Sequence, residues 1–190
     1  MPIEQLTRVG QVRAIVRWGS PVVHRPAQPV TDSCDELQHL LADMFATNRA
    51  ANGAGLAAPQ VGVGFSAFIY DCLDGDLQRQ IGVICNPTVR LPEGAARRLE
   101  TWDEGCLSLP GGHAELARPN RATCSGQNQY GENIEVTATG QLARCLQHET
   151  DHLNGVVFGD RLSSRRRRAL YRTHEQVAAY YPDNWPITSV

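Results

Sequence analysis

Leu37, Leu40, Leu41, Met44 and Phe45 recur three and four positions apart after Thr31 and Asp32, and the pattern stops by Gly53. That spacing predicts an amphipathic helix capped at one of those two residues. The same period returns in Leu142, Cys145, Leu146, Glu149 and Leu153. It predicts a second helix over about residues 139–154, stopped by Gly155 in the left-handed conformation. A third helix is expected from Ser163 or Ser164, with Leu170, Thr173, Val177 and Tyr180 or Tyr181 on one stripe. Residues 11–18, closed by the turn-prone Gly19-Ser20-Pro21, read as a β-rich run, and residues 65–70, 81–85 and 97–102 as strands. Residues 121–127 and 133–138, joined across Tyr130-Gly131, read as a hairpin. Strands followed by a central helix predict an α+β fold.

Composition narrows the class. At 190 residues, with 18 basic against 20 acidic side chains, the chain reads as one domain over residues 1–190 with room for a core. Neither a nucleic acid nor a membrane is expected as a partner. The one basic cluster, Arg165 to Arg168, reads as a solvated helix face. The opening M-P-I-E-Q-L-T-R-V-G lacks a cationic start followed by an apolar stretch, so no secretion signal is expected. Cysteines 34, 72, 85, 106, 124 and 145 stand singly without a C-x-x-C pair. They read as reduced, mostly buried thiols in a cytoplasmic protein. All 18 basic residues are arginines; no physical reason for this is apparent.

The chemistry concentrates in Q-H-E-T-D-H-L-N-G at 147–155. Histidines four apart on a helix share one face, so His148 and His152 can turn both imidazoles to a single metal ion. Glu149 beside them can take a proton from water activated there, as in hydrolases with H-E-x-x-H on a helix. For a third ligand, a metzincin pattern fails because Phe158 holds the histidine position. Glu175, on the third helix, stays open. Cys106, in E-G-C-L-S-L-P-G at 104–111 and preceded by Gly105, is the better candidate. A third stretch, G-A-G-L-A-A-P-Q at 53–60, combines glycines that permit close backbone approach with the neutral amide of Gln60.

Together, G-x-G-L-A-A-x-Q, E-G-C-L-S and Q-H-E-x-D-H, in that order, resemble the three signatures of the peptide deformylases. The likeness runs from the early strand through Leu162. It implies antiparallel sheets packed around the central H-E-x-x-H helix, with N-terminal and C-terminal helices. It further implies that Cys106, His148 and His152 bind one divalent metal with water in the fourth position. Ferrous iron is the expected native ion, with zinc, nickel and cobalt as alternatives; thiolate with two imidazoles suits several of these. By the same resemblance Glu149 shuttles the proton, while the Gln60 amide and the Leu107 N–H donate to the developing oxyanion. Glu104 and Arg118 brace the site, and Asp151 hydrogen-bonds a ligand histidine. Gly53, Gly55, Gly105, His113, Gln141 and Cys145 line the substrate cleft.

The implied reaction removes the formyl group from N-terminal formyl-methionine of nascent peptides and releases formate, carried out by a monomer. Two positions depart from the family. His113 stands where bacterial members usually carry arginine, and Gln141 where an apolar residue usually lines the methionine pocket. A polar amide there costs roughly 1–3 kcal/mol if unpaired, and it raises the alternative of another N-formyl substrate, as in specialised metabolism. A metal-binding protein without turnover would lack Glu149 or Gln60, and both are present.

Overall fold

The computed structural model describes residues 1–187. Helix α1 (Ile3–Val9) buries Leu6 against α2 (Asp35–Ala50). A five-stranded antiparallel sheet follows, formed by β1 (Gly55–Ala57), β2 (Ala67–Leu73), β3 (Arg79–Arg90), β6 (Arg121–Gln127) and β7 (Asn133–Thr139) in the order β1-β2-β3-β6-β7. Between β3 and β6 the chain makes a separate two-stranded ribbon, β4 (Leu99–Gly105) with β5 (His113–Pro119). Helix α3 (Gly140–Leu153) begins directly after β7, and α4 (Ser164–Val177) follows it.

The sheet is buried on both faces only over β1, most of β2 and the middle of β3, which is why residues 67–70 and 83–85 read as continuous apolar runs; β7 keeps alternate residues exposed. Alternate residues go to opposite sides. Ala67, Ile69, Val83 and Cys85 pack with Leu37, Leu41 and Met44 of α2. Phe68, Tyr70, Ile84 and Cys124 pack with Leu142 and Leu146 of α3. A third apolar cluster, including Cys106, Leu116, Phe158 and Leu170, joins the ribbon to α4. Burial pushes the Cys85 and Cys124 thiols up to about 12, so they stay protonated and pack as small apolar groups. Cys34 is exposed and the other five cysteines are buried.

The three expected helices are present. The first begins two or three residues later, with Cys34 at its cap. The third is capped by the Ser163 side chain, which accepts from the Arg166 N–H. On that helix Leu170 is buried and Val177 half-buried as expected, but Thr173 is exposed and His174 takes its place inside. Gly155 has φ +74°, the left-handed stop.

Residues 11–18 form no strand. Their N–H groups go in turn to Asp43 Oδ1, Thr47 Oγ1, and the carbonyls of Trp185, Gln60 and Ser108. The extended pattern is real, but its partners are scattered rather than one strand. The hydrophobic pattern marked neither helix α1 nor β5, although the family resemblance implied an N-terminal helix. The first is short, and the second alternates with Arg118 facing inward, which hides its buried side. Arg165, Arg166 and Arg168 are exposed, as a solvated face requires.

Candidate active site

Helix α3 runs beneath the end of ribbon strand β4 and presents both histidines to it. The two Nε2 atoms lie 3.2 Å apart, and the Cys106 Sγ lies 3.2 Å from Nε2 of His152. All three donor atoms fall within 4.8 Å of one another, and all three residues are buried. Bonds of about 2.0–2.3 Å to a tetrahedral ion place neighbouring N and S donors roughly 3.3–3.7 Å apart. The cluster is therefore close to the size of such an ion's coordination sphere, and its thiolate and imidazoles are a fitting donor set. Glu175 is exposed on α4 and outside this cluster.

One carboxylate organises the surroundings. Glu104 Oε1 receives the His148 Nδ1–H at 2.8 Å, which fixes the tautomer and leaves Nε2 free as a ligand. Arg118 donates to both Glu104 oxygens at 2.7 and 2.9 Å, and Arg144 Nη1 to Oε2 at 2.6 Å. Burial works against the charge on Glu104, but the hydrogen bonds from His148 and Arg118 outweigh it and hold the carboxyl well below the usual carboxylate range.

Glu149 has the opposite setting. Its Oε2 is buried without a hydrogen-bond partner, and burial raises its carboxyl to about 7. Its side chain lies against β1, where a β-carbon on Gly55 would stand 3.0 Å from Oε1 and 2.5 Å from Cys145 Sγ. Gln60 is oriented from both ends of its amide: Oε1 accepts from the Ala57 N–H at 2.9 Å, while Nε2 points to Ser108 Oγ at 3.3 Å and Cys106 Sγ at 3.6 Å.

These groups open onto a cleft of about 460 Å³. Gly53, Gly55 and Gly105 line it, as do Leu107, His113, Gln141 and Cys145. At Gly53 a β-carbon would meet Asn48 Oδ1 at 2.1 Å and Leu107 Cδ1 at 2.7 Å, so any larger residue there would have to displace both side chains.

The family model described as Polypeptide deformylase matches residues 12–168. The chain belongs to this family. It is 47% identical to peptide deformylase 1 of Streptomyces avermitilis over 173 residues, covering 91% of this chain and 80% of that one. It is 45% identical to the peptide deformylase of Acidothermus cellulolyticus, covering 85% and 84%. Among solved structures, a peptide deformylase from Legionella pneumophila aligns with TM-score 0.79 at 34% identity, over 89% of this chain and 96% of that one. One from Synechococcus elongatus in complex with actinonin aligns with TM-score 0.75 at 36% identity, over 86% of each chain. The α+β architecture is thus the deformylase fold, and the protein is a metal-dependent hydrolase of that family.

Set against the deformylase expectations, Asp151 is the correction. It makes no hydrogen bond to His148 or His152; Arg118 Nη1 donates to its Oδ2 at 2.9 Å, and Arg161 also pairs with it. The acid on His148 is Glu104. Gln141 also differs from expectation: it is exposed at the rim in the first turn of α3, and the Leu73 N–H donates to its Oε1 at 3.4 Å. Two helical turns, about 10.5 Å, separate it from His148, and its amide is turned to the sheet edge rather than over the cluster. His113 is exposed near Asp103, with Nδ1 3.7 Å from Oδ2. Sequence reasoning missed Arg144, which besides Glu104 binds the carbonyls of Leu116 and Glu100 and stands 5.2 Å over the Trp102 ring. Its place four residues before His148, on the same helix face, was the available signal.

Proposed function

We propose that this protein removes the formyl group from N-terminal formyl-methionine of nascent peptides, producing formate and a free amino terminus. The observation that carries this reading is the convergence on one cleft of the Cys106, His148 and His152 donors with an unpartnered Glu149 oxygen and the oriented Gln60 amide. When bound, a divalent ion supplies Lewis-acid chemistry, acidifying water and polarising the formyl oxygen. Ferrous iron is the ion proposed for the cell, with zinc, nickel or cobalt able to occupy the same donors.

The chain's own groups account for the rest. Glu149 takes a proton from the attacking water as its oxygen bonds to the formyl carbon. The Gln60 Nε2–H and the main-chain N–H of Leu107 donate to the formyl oxygen as it gains negative charge. Glu149 then delivers its proton to the nitrogen as the C–N bond breaks, giving formic acid and the free amine; passage of the acid proton to the amine leaves formate and the ammonium, with no net proton change. Burial without a partner suits Glu149 to both halves of this exchange. The glycines of 53–55 allow the substrate backbone to lie close to β1, and Glu104 and Arg118 hold His148 in position.

Another N-formyl substrate was raised by the departures at Gln141 and His113; an amide turned toward Leu73 and an exposed imidazole beside Asp103 do not argue for it. The enzyme is proposed to act in the cytoplasm as a monomer; no helix among the described residues is long and apolar enough to cross a membrane. The test is formate release from formyl-Met-Ala-Ser by anaerobically prepared protein of known metal content. Glu149→Gln should keep its metal and lose about 100- to 10,000-fold in kcat. A loss below about tenfold would remove Glu149 from the proton path.

A further inference from the structure

The family match ends at residue 168, yet the chain beyond it returns to the cleft. After α4 the backbone turns at Tyr181, and the rings of Tyr181 and Trp185 both line the cavity. Main-chain groups anchor this return. Arg17 Nη2 donates to the carbonyls of Tyr181 and Pro182 at 2.7 and 2.9 Å, and the Ile15 N–H donates to the carbonyl of Trp185 at 2.8 Å. The Arg17 guanidinium stands 5.6 Å over the Trp185 ring, and the two aromatic rings meet edge to face at 5.3 Å. Trp185 packs on the α2 core beside Leu107. Tyr181 lies against Gly111, where a β-carbon would come within 3.3 Å of its ring. His174 of α4 ties the same turn down through its Nδ1, 2.8 Å from the Pro110 carbonyl.

Both rings are half-buried and fixed before any ligand arrives. Tyr181 packs on the Pro110–Gly111 turn that follows Cys106 and Leu107, and it shares the cleft lining with Trp185, with Leu107, and with Gln141, Arg144 and Cys145 of α3. From this placement we propose that Tyr181 and Trp185 form a subsite for the second and third residues of the formyl-peptide, selective for apolar side chains there. The proposal rests on the deformylase reading above. With the formyl group at the metal cluster and the first side chain on the α3 side, the rest of the peptide leaves along the Leu107 side. Rigid aromatic faces there add apolar contact and lose little rotamer freedom on binding.

The test compares formyl-Met-Leu-Leu with formyl-Met amide on the metal-loaded enzyme. Tyr181→Ala and Trp185→Ala should each lower kcat/KM on the longer substrate about three- to tenfold more than on the shorter one, mainly through KM. Calorimetric titration with the deformylated product Met-Leu-Leu should show the same loss of affinity. Tyr181→Ala removes only the ring and keeps the carbonyls that Arg17 holds, so it decides the matter if Trp185→Ala melts early or loses metal. An equal effect on both substrates, or none on either, overturns the subsite. If the wild type releases no formate from either substrate, the deformylase reading fails and the subsite with it. If the wild type is active and the ratio between substrates is the same in the variants, the subsite alone falls.

Discussion

At the scale of single residues, Glu104 and Asp151 show how two acids close in sequence to the ligands take different tasks. Glu104 receives His148, Arg118 and Arg144 at once. Asp151 receives only arginines. Glu104→Gln should therefore lower metal affinity by about 10- to 100-fold. Asp151→Asn, which leaves the His148 contact intact, should cost about 1–3 kcal/mol of stability with metal affinity near wild type. Competition titration with a chelator and denaturant melts separate the two effects; an equal loss of metal affinity in both variants would put Asp151 back on a ligand histidine. Gln141 carries a third expectation. Because its polar end is engaged with Leu73 at the rim, Gln141→Leu should change kcat/KM on formyl-Met peptides by no more than about twofold, the range of an ordinary surface substitution. A gain of tenfold or more would mean that the amide does enter the methionine pocket.

Among the elements, legibility followed how local each determinant is. The three longer helices and the β6–β7 hairpin announce themselves by period and by their turn and stop residues, all contained within a dozen or so positions. The i, i+4 pair His148 and His152 was legible for the same reason, since helix geometry alone puts both on one face. Residues 11–18 were misread because an extended pattern states only that backbone groups need partners, and here the partners are side chains of α2 and three separate carbonyls. Strand β5 was hidden by Arg118, 6% exposed, a charge buried only because Glu104 and Asp151 meet it. Spacing alone put Arg144 on the His148 face, but what it does there depends on β4 folding over α3, where Glu104 and the Glu100 carbonyl meet it. The aromatic wall at Tyr181 and Trp185 depends on a contact with Arg17 spanning 164 positions, beyond the reach of any local pattern.

On the scale of the whole molecule, the cluster joins parts that fold apart. His148 and His152 belong to a helix laid on the five-stranded sheet, while Cys106 ends a ribbon that shares no strand with that sheet. Cys106 and His152 are 46 positions apart. The two nitrogen donors come together as soon as the helix forms, but the sulfur joins them only when the ribbon docks. A metal ion held by all three would clasp ribbon to helix, and it is expected to be fastened last and released first. Interactions absent from the folding transition state slow unfolding and leave folding unchanged. In a chevron experiment, loading with nickel should lower the unfolding arm and leave the folding arm where it lies in the metal-free protein, with zinc behaving alike. A faster folding arm in the loaded protein would mean that ribbon and helix already meet at the barrier. If the unfolding arm alone moves, how long a molecule stays active will be governed by how tightly it keeps its ion, and a cell short of metal would lose this enzyme through a shorter lifetime as well as through idle copies.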